Sequence, residues 1–383
     1  MEYENLSEQY KQRELQGRYI APVHIAPLLA QKPTQEHLSV FGQSVLHKPI
    51  FAYRIGSGKV RILCWSQMHG NESTTTKALF DLFLFLQGGT AEAERFLQHF
   101  SFFIIPMLNP DGAESYTREN ANGVDLNRDA QSLSQPESVV LRKAYDDFDP
   151  HYCFNMHDQR TIFGVADSGK PATISFLSPS FDADRGMNAV RLEAIRVIVG
   201  MDKVLQRYIP GQVGRFDDAF NINCIGDTFQ QAGTPTILIE AGHYADDYER
   251  EASRKYVFIA LLAALNSIYE NVIVGNENEY YMHIPQNNAN FFDFVYKNIN
   301  IHYDNSEIIT TFAAQYVEQL IDNSVHFNAF ITKIGDLEQY FGHIEIDAKA
   351  QRYSDNGNNI PVLNQKADFR IGNNIEVSNG KIR

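Results

Sequence analysis

The chain has 383 residues, of which 44% are hydrophobic and 21% are charged, and its formal net charge is −14. These proportions describe a soluble globular protein rather than a disordered chain, and the length favours two domains. The acidic balance argues against nucleic acid or an anionic membrane as a partner, because either would require a basic surface.

The beginning of the chain, MEYENLSEQYKQRELQ, is charged and lacks the apolar core of a secretory signal. No stretch reaches the roughly 18 consecutive apolar residues of a membrane-spanning helix. The cysteines lie far apart in apolar stretches, which favours buried, reduced thiols over disulfides or a thiolate metal site: Cys64, Cys153 and Cys224. These observations predict a cytoplasmic protein.

Residues 1–48 are predicted to form an introductory segment, a short helix followed by a strand near LSVFGQSVL. From about residue 50, buried strands alternate with helices. The strands are KVRILCW, FSFFIIPML, HYCFNM and TPTILIE; the main helices are TTTKALFDLFLFL, ESVVLRKAYDDF, MNAVRLEAIRVIVGMDKVLQRY and YEREASRKYVFIALLAALNSIYENV. The alternation predicts a three-layer α/β/α domain over residues 1–274, with a mixed, mostly parallel sheet covered on both faces.

The composition changes near residue 275. The stretch VGNENEYYMHIPQNNAN is polar and rich in asparagine, which is typical of a linker. Beyond it, alternating segments such as HFNAFITKI, HIEIDAKAQRY and ADFRI are separated by turn sequences. Residues 275–383 are therefore predicted to form a small β-rich C-terminal domain, whose role the sequence leaves open.

Four groups of polar residues follow predicted strands, at the edge where open α/β sheets bind their ligands. His69 and Glu72 follow RILCW, and His157 follows YCFNM. The segments NPDG and GVDLNRD, with Arg118 between them, follow FFIIPML, and Glu240 ends TPTILIE. We expect these groups to form a single site.

The side chains of His69, Glu72 and His157 supply two imidazoles and one carboxylate, a set that leaves a catalytic zinc one open position. The step of three residues from His69 to Glu72 lets both reach one ion across a strand-to-helix turn, where Gly70 permits a tight backbone path. One zinc ion per chain is therefore predicted. Glu240 is then expected to be the general base toward the zinc-activated water.

Arg118 could stabilise the developing oxyanion, while Asn127 and Arg128 offer an amide and a planar guanidinium for a substrate carboxylate. Each of these residues, taken alone, also has an explanation that involves no metal or substrate. An HxxE pair often occurs by chance, and Arg128 could pair with Asp125 or Asp129. Their order and their positions at strand ends favour the site. Two further histidines lie near enough in sequence to support the ligands: His151 and His243.

The segments HGNE, NPDG, TRENANGVDLNRD, NMHDQ and ILIEAG, in this order over residues 50–270, resemble the zinc carboxypeptidase family. The resemblance implies an α/β/α domain around an eight-stranded mixed sheet with one catalytic zinc. By motif it assigns the zinc ligands, the catalytic glutamate, the oxyanion arginine and the pair that holds the terminal carboxylate: His69, Glu72 and His157; Glu240; Arg118; Asn127 and Arg128.

The sequence departs from the family pattern in three respects. Asp129 follows Arg128 where the family usually has asparagine. Residues 215–239 contain no tyrosine to cap the substrate, so another residue, such as Tyr244, would have to supply the cap. Residues 275–383 lie outside the resemblance.

These features predict a zinc metallocarboxypeptidase that hydrolyses the C-terminal peptide bond of short peptides with a free carboxylate. The alternative is a zinc-dependent N-acyl amino acid deacylase of the aspartoacylase and succinylglutamate desuccinylase type, whose members are similar in HGNE and DLNR. NPDG and the long segment TRENANGVDLNRD favour the peptidase, whereas the missing tyrosine weakens that preference. A metal-binding protein without catalysis is a third alternative, against which the full set of ligands and Glu240 argues. The oligomeric state is not indicated.

Overall fold

The computed structural model describes residues 1–271, 275–303 and 306–383. They divide into two compact units. The first unit consists of Met1–Gln159 and Ala172–Asn287, and the second consists of Arg160–Pro171 and Asn288–Arg383. The domain boundary predicted from the sequence, at residue 274, falls outside the described residues.

The helices and strands are numbered in chain order. The helices are α1 (Tyr3–Gln9), α2 (Pro22–Leu29), α3 (Lys32–Gln35), α4 (Thr74–Leu86), α5 (Ala91–His99), α6 (Pro110–Ser115), α7 (Pro136–Phe148), α8 (Ala189–Leu205), α9 (Ile225–Gln231), α10 (Glu251–Glu270) and α11 (Glu277–His283). The strands are β1 (Leu38–Gln43), β2 (Pro49–Ile55), β3 (Val60–Trp65), β4 (Phe100–Ile105), β5 (Tyr152–Asp158), β6 (Phe163–Val165), β7 (Ile174–Leu177), β8 (Val213–Arg215), β9 (Thr236–Ala241), β10 (Asn287–Ala289), β11 (Phe291–Tyr303), β12 (Ser306–Ile321), β13 (Ser324–Ile334), β14 (Phe341–Asp347), β15 (Tyr353–Ser354), β16 (Phe369–Ile371), β17 (Ile375–Ser378) and β18 (Lys381–Ile382).

The first unit contains an eight-stranded sheet in the order β1-β2-β4-β3-β5-β9-β7-β8. Its four central strands, β4, β3, β5 and β9, are parallel to one another. Antiparallel pairs flank them on both sides, β1 with β2, β2 with β4, and β7 with β9. The mixed, mostly parallel sheet predicted from the sequence is confirmed in its central strands.

Apolar side chains cover both faces of this sheet. Along β3, Ile62 and Cys64 belong to the core shared with α4, α5, α8 and α10. Leu63 and Trp65 belong to the core shared with α7 and α9. Because successive side chains of a strand point to opposite faces, a strand buried on both faces is apolar throughout, as KVRILCW is. The predicted three-layer α/β/α arrangement is confirmed.

The N-terminal segment has three helices before β1, not the single short helix predicted from the sequence. Buried ionic groups tie it to the rest of the unit. The backbone N–H of Gln12 donates to Asp81 Oδ1 (2.7 Å), and Arg254 Nη2 donates to the carbonyl of Gln12 (2.8 Å). The segment is therefore an integral part of the first unit.

The polar stretch interpreted as a linker also belongs largely to the first unit. Its residues 277–283 form α11, and Tyr281 on that helix is fully buried. The hydroxyl of Tyr281 accepts a hydrogen bond from the backbone N–H of Ser178 (3.0 Å). A single buried aromatic ring thus anchors a segment whose composition is otherwise that of a linker.

The second unit consists mainly of two four-stranded sheets, ordered β13-β12-β11-β14 and β15-β16-β17-β18. Its core is rich in aromatic rings, including Phe294, Tyr296 and Phe312. The β-rich C-terminal region predicted from the sequence is confirmed. The sequence did not indicate that a segment from the middle of the chain, Arg160–Pro171, is part of the same unit.

No helix among the described residues is long and apolar enough to span a membrane. The cytoplasmic location stays a prediction.

Candidate metal centre

The candidate site lies at the carboxyl ends of the four central strands of the first unit. In this sheet the chain continues from β3 to β4 on one side, and from the adjacent strand β5 to β7 and β9 on the other, so the two connections leave in opposite directions. Such a switch point opens a crevice in which α/β proteins bind their ligands. The motifs that follow β3 and β4, and the last residues of β5 and β9, all border this crevice.

The turn that carries His69 and Glu72 packs against the NPDG turn. A Cβ atom added to Gly70 would lie 1.9 Å from the carbonyl carbon of Gly112, which no side chain could tolerate. The NPDG turn is held in place by Asn109, whose Oδ1 caps α6 by accepting from the N–H of Gly112 (2.9 Å). Gly70 is therefore required for the close approach of two backbones.

Three ligand-type side chains converge at this turn. His69, Glu72 and His157 each offer one atom, and these atoms all lie within 4.8 Å of one another. His69 Nδ1 lies 2.8 Å from Glu72 Oε1, and His157 Nδ1 lies 2.8 Å from Glu72 Oε2. The two Nδ1 atoms are 3.1 Å apart. The three residues predicted as ligands are thus brought together.

This arrangement fits a zinc ion. Zinc bonds of about 2.0–2.1 Å in tetrahedral geometry place neighbouring ligand atoms roughly 3.3 Å apart. The spacings of 2.8 to 3.1 Å between these atoms are slightly shorter than this. Two neutral imidazoles and one carboxylate also form the donor set typical of catalytic zinc.

Asp125 links the ligands to the next loop, and it was not identified from the sequence as a supporting residue. Its Oδ1 lies 3.0 Å from His69 Nε2 and accepts from the backbone N–H of Asn127 (2.9 Å). Its Oδ2 accepts from Arg118 Nε and Nη2 (3.2 and 3.1 Å). A proton on Nε2 of His69, donated to Asp125, leaves Nδ1 free for a metal. The sequence feature that could have indicated this role is the carboxylate of Asp125 directly before the segment LNRD.

Charges within the ligand group shift the pKa values of its members. Burial favours neutral His69, but Glu72 and Asp125 outweigh this effect and raise its pKa. Burial lowers the pKa of His157 despite the neighbouring Glu72. Burial alone would raise the pKa of Glu72, yet the two histidines hold it well below its usual range. Glu72 is therefore ionised, as a metal ligand must be.

Asp158 connects the two segments that carry the ligands, the end of β5 and the turn before α4. Its Oδ2 accepts from the backbone N–H of Thr74, the first residue of α4 (2.9 Å), where a carboxylate favours the helix N-terminus. Its own backbone N–H donates to Glu72 Oε2 (3.2 Å). β5 and the start of α4 are thereby held together beside the ligands.

Glu240 is the register partner of His157 on the adjacent parallel strand. Partners on neighbouring strands have their side chains on the same face of the sheet, about 5 Å apart. Burial, together with the nearby charges of Glu72 and Asp158, raises the pKa of Glu240 well above its ordinary value. A carboxyl group beside a metal centre with a raised pKa is suited to take up and return a proton.

Arg118 borders the same point as the ligands. Its Nη1 lies 3.2 Å from Glu72 Oε1 and 3.2 Å from His69 Nδ1. The side chain is 41% exposed, so it faces the crevice as well as the ligands. Its two bonds to Asp125 fix the plane of the guanidinium group.

Asn127 and Arg128 lie on the short 3₁₀ turn Leu126–Arg128, facing the loop before α9. Asn127 Oδ1 accepts from the N–H of Ile225 (3.0 Å), so its amide nitrogen remains the group that can donate to a ligand. Arg128 Nη1 donates to its neighbour's carbonyl (2.7 Å) and lies 3.1 Å from Cys224 Sγ.

Arg128 is not paired with either carboxylate that the sequence suggested for it. Asp129 accepts from the backbone N–H groups of Ser134 and Gln135 (3.0 Å each) and so organises the loop after the turn. Asp125 is occupied by His69, Asn127 and Arg118. Asp129 therefore does not determine the orientation of the arginine by an ion pair.

The sequence also suggested supporting roles for His151 and His243 and a capping role for Tyr244. His151 immediately precedes β5 at the end opposite His157, where its Nδ1 accepts from the N–H of Arg61 (2.9 Å). His151 and His157 are six residue steps apart along the strand, or roughly 20 Å, so His151 does not support the ligands. Tyr244 packs against Tyr256 of α10 (ring centroids 5.7 Å apart), and the ring of His243 contacts that of Tyr248 at a tilt of 55° (centroids 4.8 Å apart).

Comparison with known proteins confirms the resemblance stated from the motifs. The model of the zinc carboxypeptidase family matches residues 24–160, which include His69, Glu72, Arg118, Arg128 and His157. Glu240 lies beyond the matched range. The family's cofactor is zinc, and the ligand group described above is compatible with it.

Named relatives and solved structures agree with this match. "Probable carboxypeptidase 2" of Arthroderma benhamiae is 28% identical over 102 residues, which are 27% of this chain and 19% of that protein. The chain thus spans about a fifth of the length of that relative. A metallo-carboxypeptidase from Burkholderia cenocepacia superposes with a TM-score of 0.54 at 16% identity, covering 66% of this chain and 70% of that one.

The same fold occurs in bovine thrombin-activatable fibrinolysis inhibitor, solved in complex with tick carboxypeptidase inhibitor. The TM-score is 0.52 at 15% identity, with 69% of this chain and 100% of that chain covered. At such identities the superpositions show the fold alone. The deacylase alternative is not favoured by these comparisons.

Proposed function

We propose that this protein, whose residues 24–160 match the zinc carboxypeptidase family, is a zinc metallocarboxypeptidase that removes the C-terminal residue of short peptides. The observation that carries the proposal is the convergence of His69, Glu72 and His157. Glu240 stands beside His157 in register on the next strand. Ligands and base therefore face one crevice.

The three side chains would hold zinc and leave a position open to water or substrate. When bound, zinc would lower the pKa of a coordinated water and polarise the scissile carbonyl. Asp125 keeps His69 in the tautomer that presents Nδ1, and this support is present without any rearrangement.

Glu240 is the proposed general base and general acid. Its carboxylate takes a proton from the attacking water and returns it to the nitrogen of the leaving amine. The raised pKa of Glu240, due to burial and to Glu72 and Asp158, supports the second step, in which the carboxyl group must donate. The first step requires the ionised form, which positive charge in the site favours.

Arg118 and the Asn127–Arg128 pair are proposed to bind the substrate. Arg118 borders the ligand atoms, so its guanidinium group can donate to the oxyanion that develops at the scissile carbonyl. The amide nitrogen of Asn127 and the exposed guanidinium of Arg128 can grip the terminal carboxylate. Recognition of that carboxylate would restrict cleavage to the last peptide bond.

The test is an incubation of purified protein with three substrate sets, with product identification by mass spectrometry. The sets are short peptides with a free C-terminal carboxylate, the same peptides as C-terminal amides, and N-acyl amino acids. Loss of one C-terminal residue from the first set alone, abolished by a chelator and restored by zinc, is the expected result. Chelator-sensitive release of acyl groups from the third set would instead establish the deacylase.

The matched variants are Glu240→Gln and Glu94→Gln, the latter on the exposed side of α5. Glu240→Gln should retain zinc and lose about 10²- to 10⁴-fold in kcat, the usual effect of removing a general base. Glu94→Gln should match the wild-type protein. Turnover by Glu240→Gln within a few-fold of wild type would assign the base to another residue.

A further inference from the structure

Arg250 connects the two strand ends that carry the ligand and the base. Its Nη1 donates to the carbonyl of Ala241 (2.8 Å), and its Nη2 donates to the carbonyl of Gln159 (2.8 Å). Ala241 directly follows Glu240, and Gln159 lies two residues after His157. One planar group thus binds both strands immediately beyond the site.

The bonds of Arg250 lie where the sheet itself stops holding the two strands together. The last backbone bond between them runs from the N–H of Gln159 to the carbonyl of Ala241 (2.9 Å). The next N–H along β9, that of Gly242, already donates to Thr173 on another segment (2.8 Å). The guanidinium group therefore closes the end of the ladder between β5 and β9.

Arg250 projects from a rigid support. It is the residue immediately before α10, it is 1% exposed, and Asp247 caps the helix beside it by accepting from Glu251 and Ala252 (2.8 Å each). Its backbone has φ 60° and ψ 32°, in the left-handed region that arginine rarely adopts. Such a conformation persists only where surrounding contacts enforce it, and it is common at functional sites.

We propose that Arg250 is a positioning residue that fixes Glu240 relative to His157, so that both zinc affinity and turnover depend on it. The turnover part rests on the proposed peptidase function, whereas the zinc-affinity part does not. An arginine suits this role because its fork presents two donors in one plane, one for each carbonyl. Lysine keeps the positive charge but offers a single nitrogen in place of the planar fork, and methionine has no hydrogen-bond donor.

The variants are Arg250→Met and Arg250→Lys, with Arg196→Met as the matched control. Arg196 is also buried (6% exposed) and also joins two elements through a carbonyl, donating from α8 to Ser267 on α10 (2.8 Å). It lies on the side of Tyr152, the first residue of β5, away from the metal centre. If Arg250 only stabilises the fold, Arg250→Met and Arg196→Met should have the same effects on zinc affinity, kcat and Tm.

Three quantities are measured on the folded protein: zinc affinity by chelator competition, kcat and KM at saturating zinc, and Tm. Arg250→Met should weaken zinc binding and lower kcat, each by about 10- to 100-fold, the usual effect of removing a group that supports metal ligands. KM should stay near the wild-type value, and Arg250→Lys should fall between wild type and Arg250→Met. Arg196→Met should lower Tm alone.

The proposal is overturned if Arg250→Lys and Arg250→Met both keep wild-type zinc affinity and kcat, or if Arg196→Met reproduces their losses. Should Arg250→Met not fold, Arg250→Lys decides the question by the same two measurements. A wild-type protein without peptidase activity would refute the proposed function. Zinc affinity would then still decide the role of Arg250.

Discussion

His157 and Glu240 are direct register partners on the parallel strands β5 and β9. Their backbones are held by the central ladder of the sheet, and their side chains share one face. The separation between a proposed zinc ligand and the proposed base is therefore set by the ladder between these strands, whose end Arg250 closes. Active-site groups on regular elements are held more firmly than groups on loops.

Removal of either histidine ligand should abolish zinc binding. His69→Ala and His157→Ala each leave two protein ligands, too few for a stable zinc site. Metal analysis of purified protein should fall from about one zinc per chain to near zero. His151→Ala, at the other end of β5, should keep its zinc. Full zinc content in both ligand variants would contradict the assignment.

Glu240→Gln should raise the stability of the metal-free protein at neutral pH. The pKa of Glu240 is raised in the folded state, so above its ordinary pKa the folded protein holds a proton that the unfolded chain has released. The contribution of Glu240 to the free energy of unfolding therefore falls as pH increases above its ordinary pKa. Glutamine does not titrate, so the variant does not lose stability in this way. Tm measured from pH 4 to pH 8 should show a difference in favour of the variant that grows with pH. A constant difference would contradict this explanation.

Asp125→Asn should weaken zinc binding by about 10- to 100-fold, although Asp125 touches no metal, because the variant loses the carboxylate that orients His69. The same change frees Arg118, whose Nε and Nη2 both donate to Asp125. Chelator competition gives the affinity, and Asp146→Asn on the exposed side of α7 is the control. Unchanged affinity would mean that Glu72 alone orients the ligand.

Arg128→Lys should raise KM for peptides with a free carboxylate by roughly 10-fold or more, with little change in kcat, because the planar fork is lost. The corresponding C-terminal amides should remain uncleaved by both the wild-type protein and the variant. The partly exposed Arg142 on α7 offers the control Arg142→Lys. An unchanged KM for the free-carboxylate peptides in Arg128→Lys would mean that the terminal carboxylate is bound elsewhere.

The ligand group was predictable because its residues lie close to strand ends. The apolar runs locate the strands, and parallel strands bring their carboxyl ends to one edge, so the sequence alone was enough to place His69, Glu72, His157 and Glu240 together. The step from His69 to Glu72 across a turn required only local geometry.

The supporting residues could not be placed in the same way. Arg250 acts through main-chain carbonyls of Ala241 and Gln159, and a carbonyl has no signature in a sequence. Tyr281 turns an apparent linker into α11 through one buried ring. The bonds of Asp125 depend on how three loops meet, which composition and periodicity do not specify.

The path of the chain after β5 constrains the order in which the protein can assemble. Every residue assigned to the site has been synthesised once the ribosome reaches Ala241. The segment Arg160–Pro171, which begins three residues after His157, belongs to the second unit. Its partners come much later: the N–H of Phe291 donates to Ile162 (3.0 Å), and His343 Nε2 to Thr161 (2.7 Å). During synthesis, the strand that bears His157 must therefore continue into a segment whose partners have not yet been made. That segment reaches its final structure only after residue 343 has been synthesised.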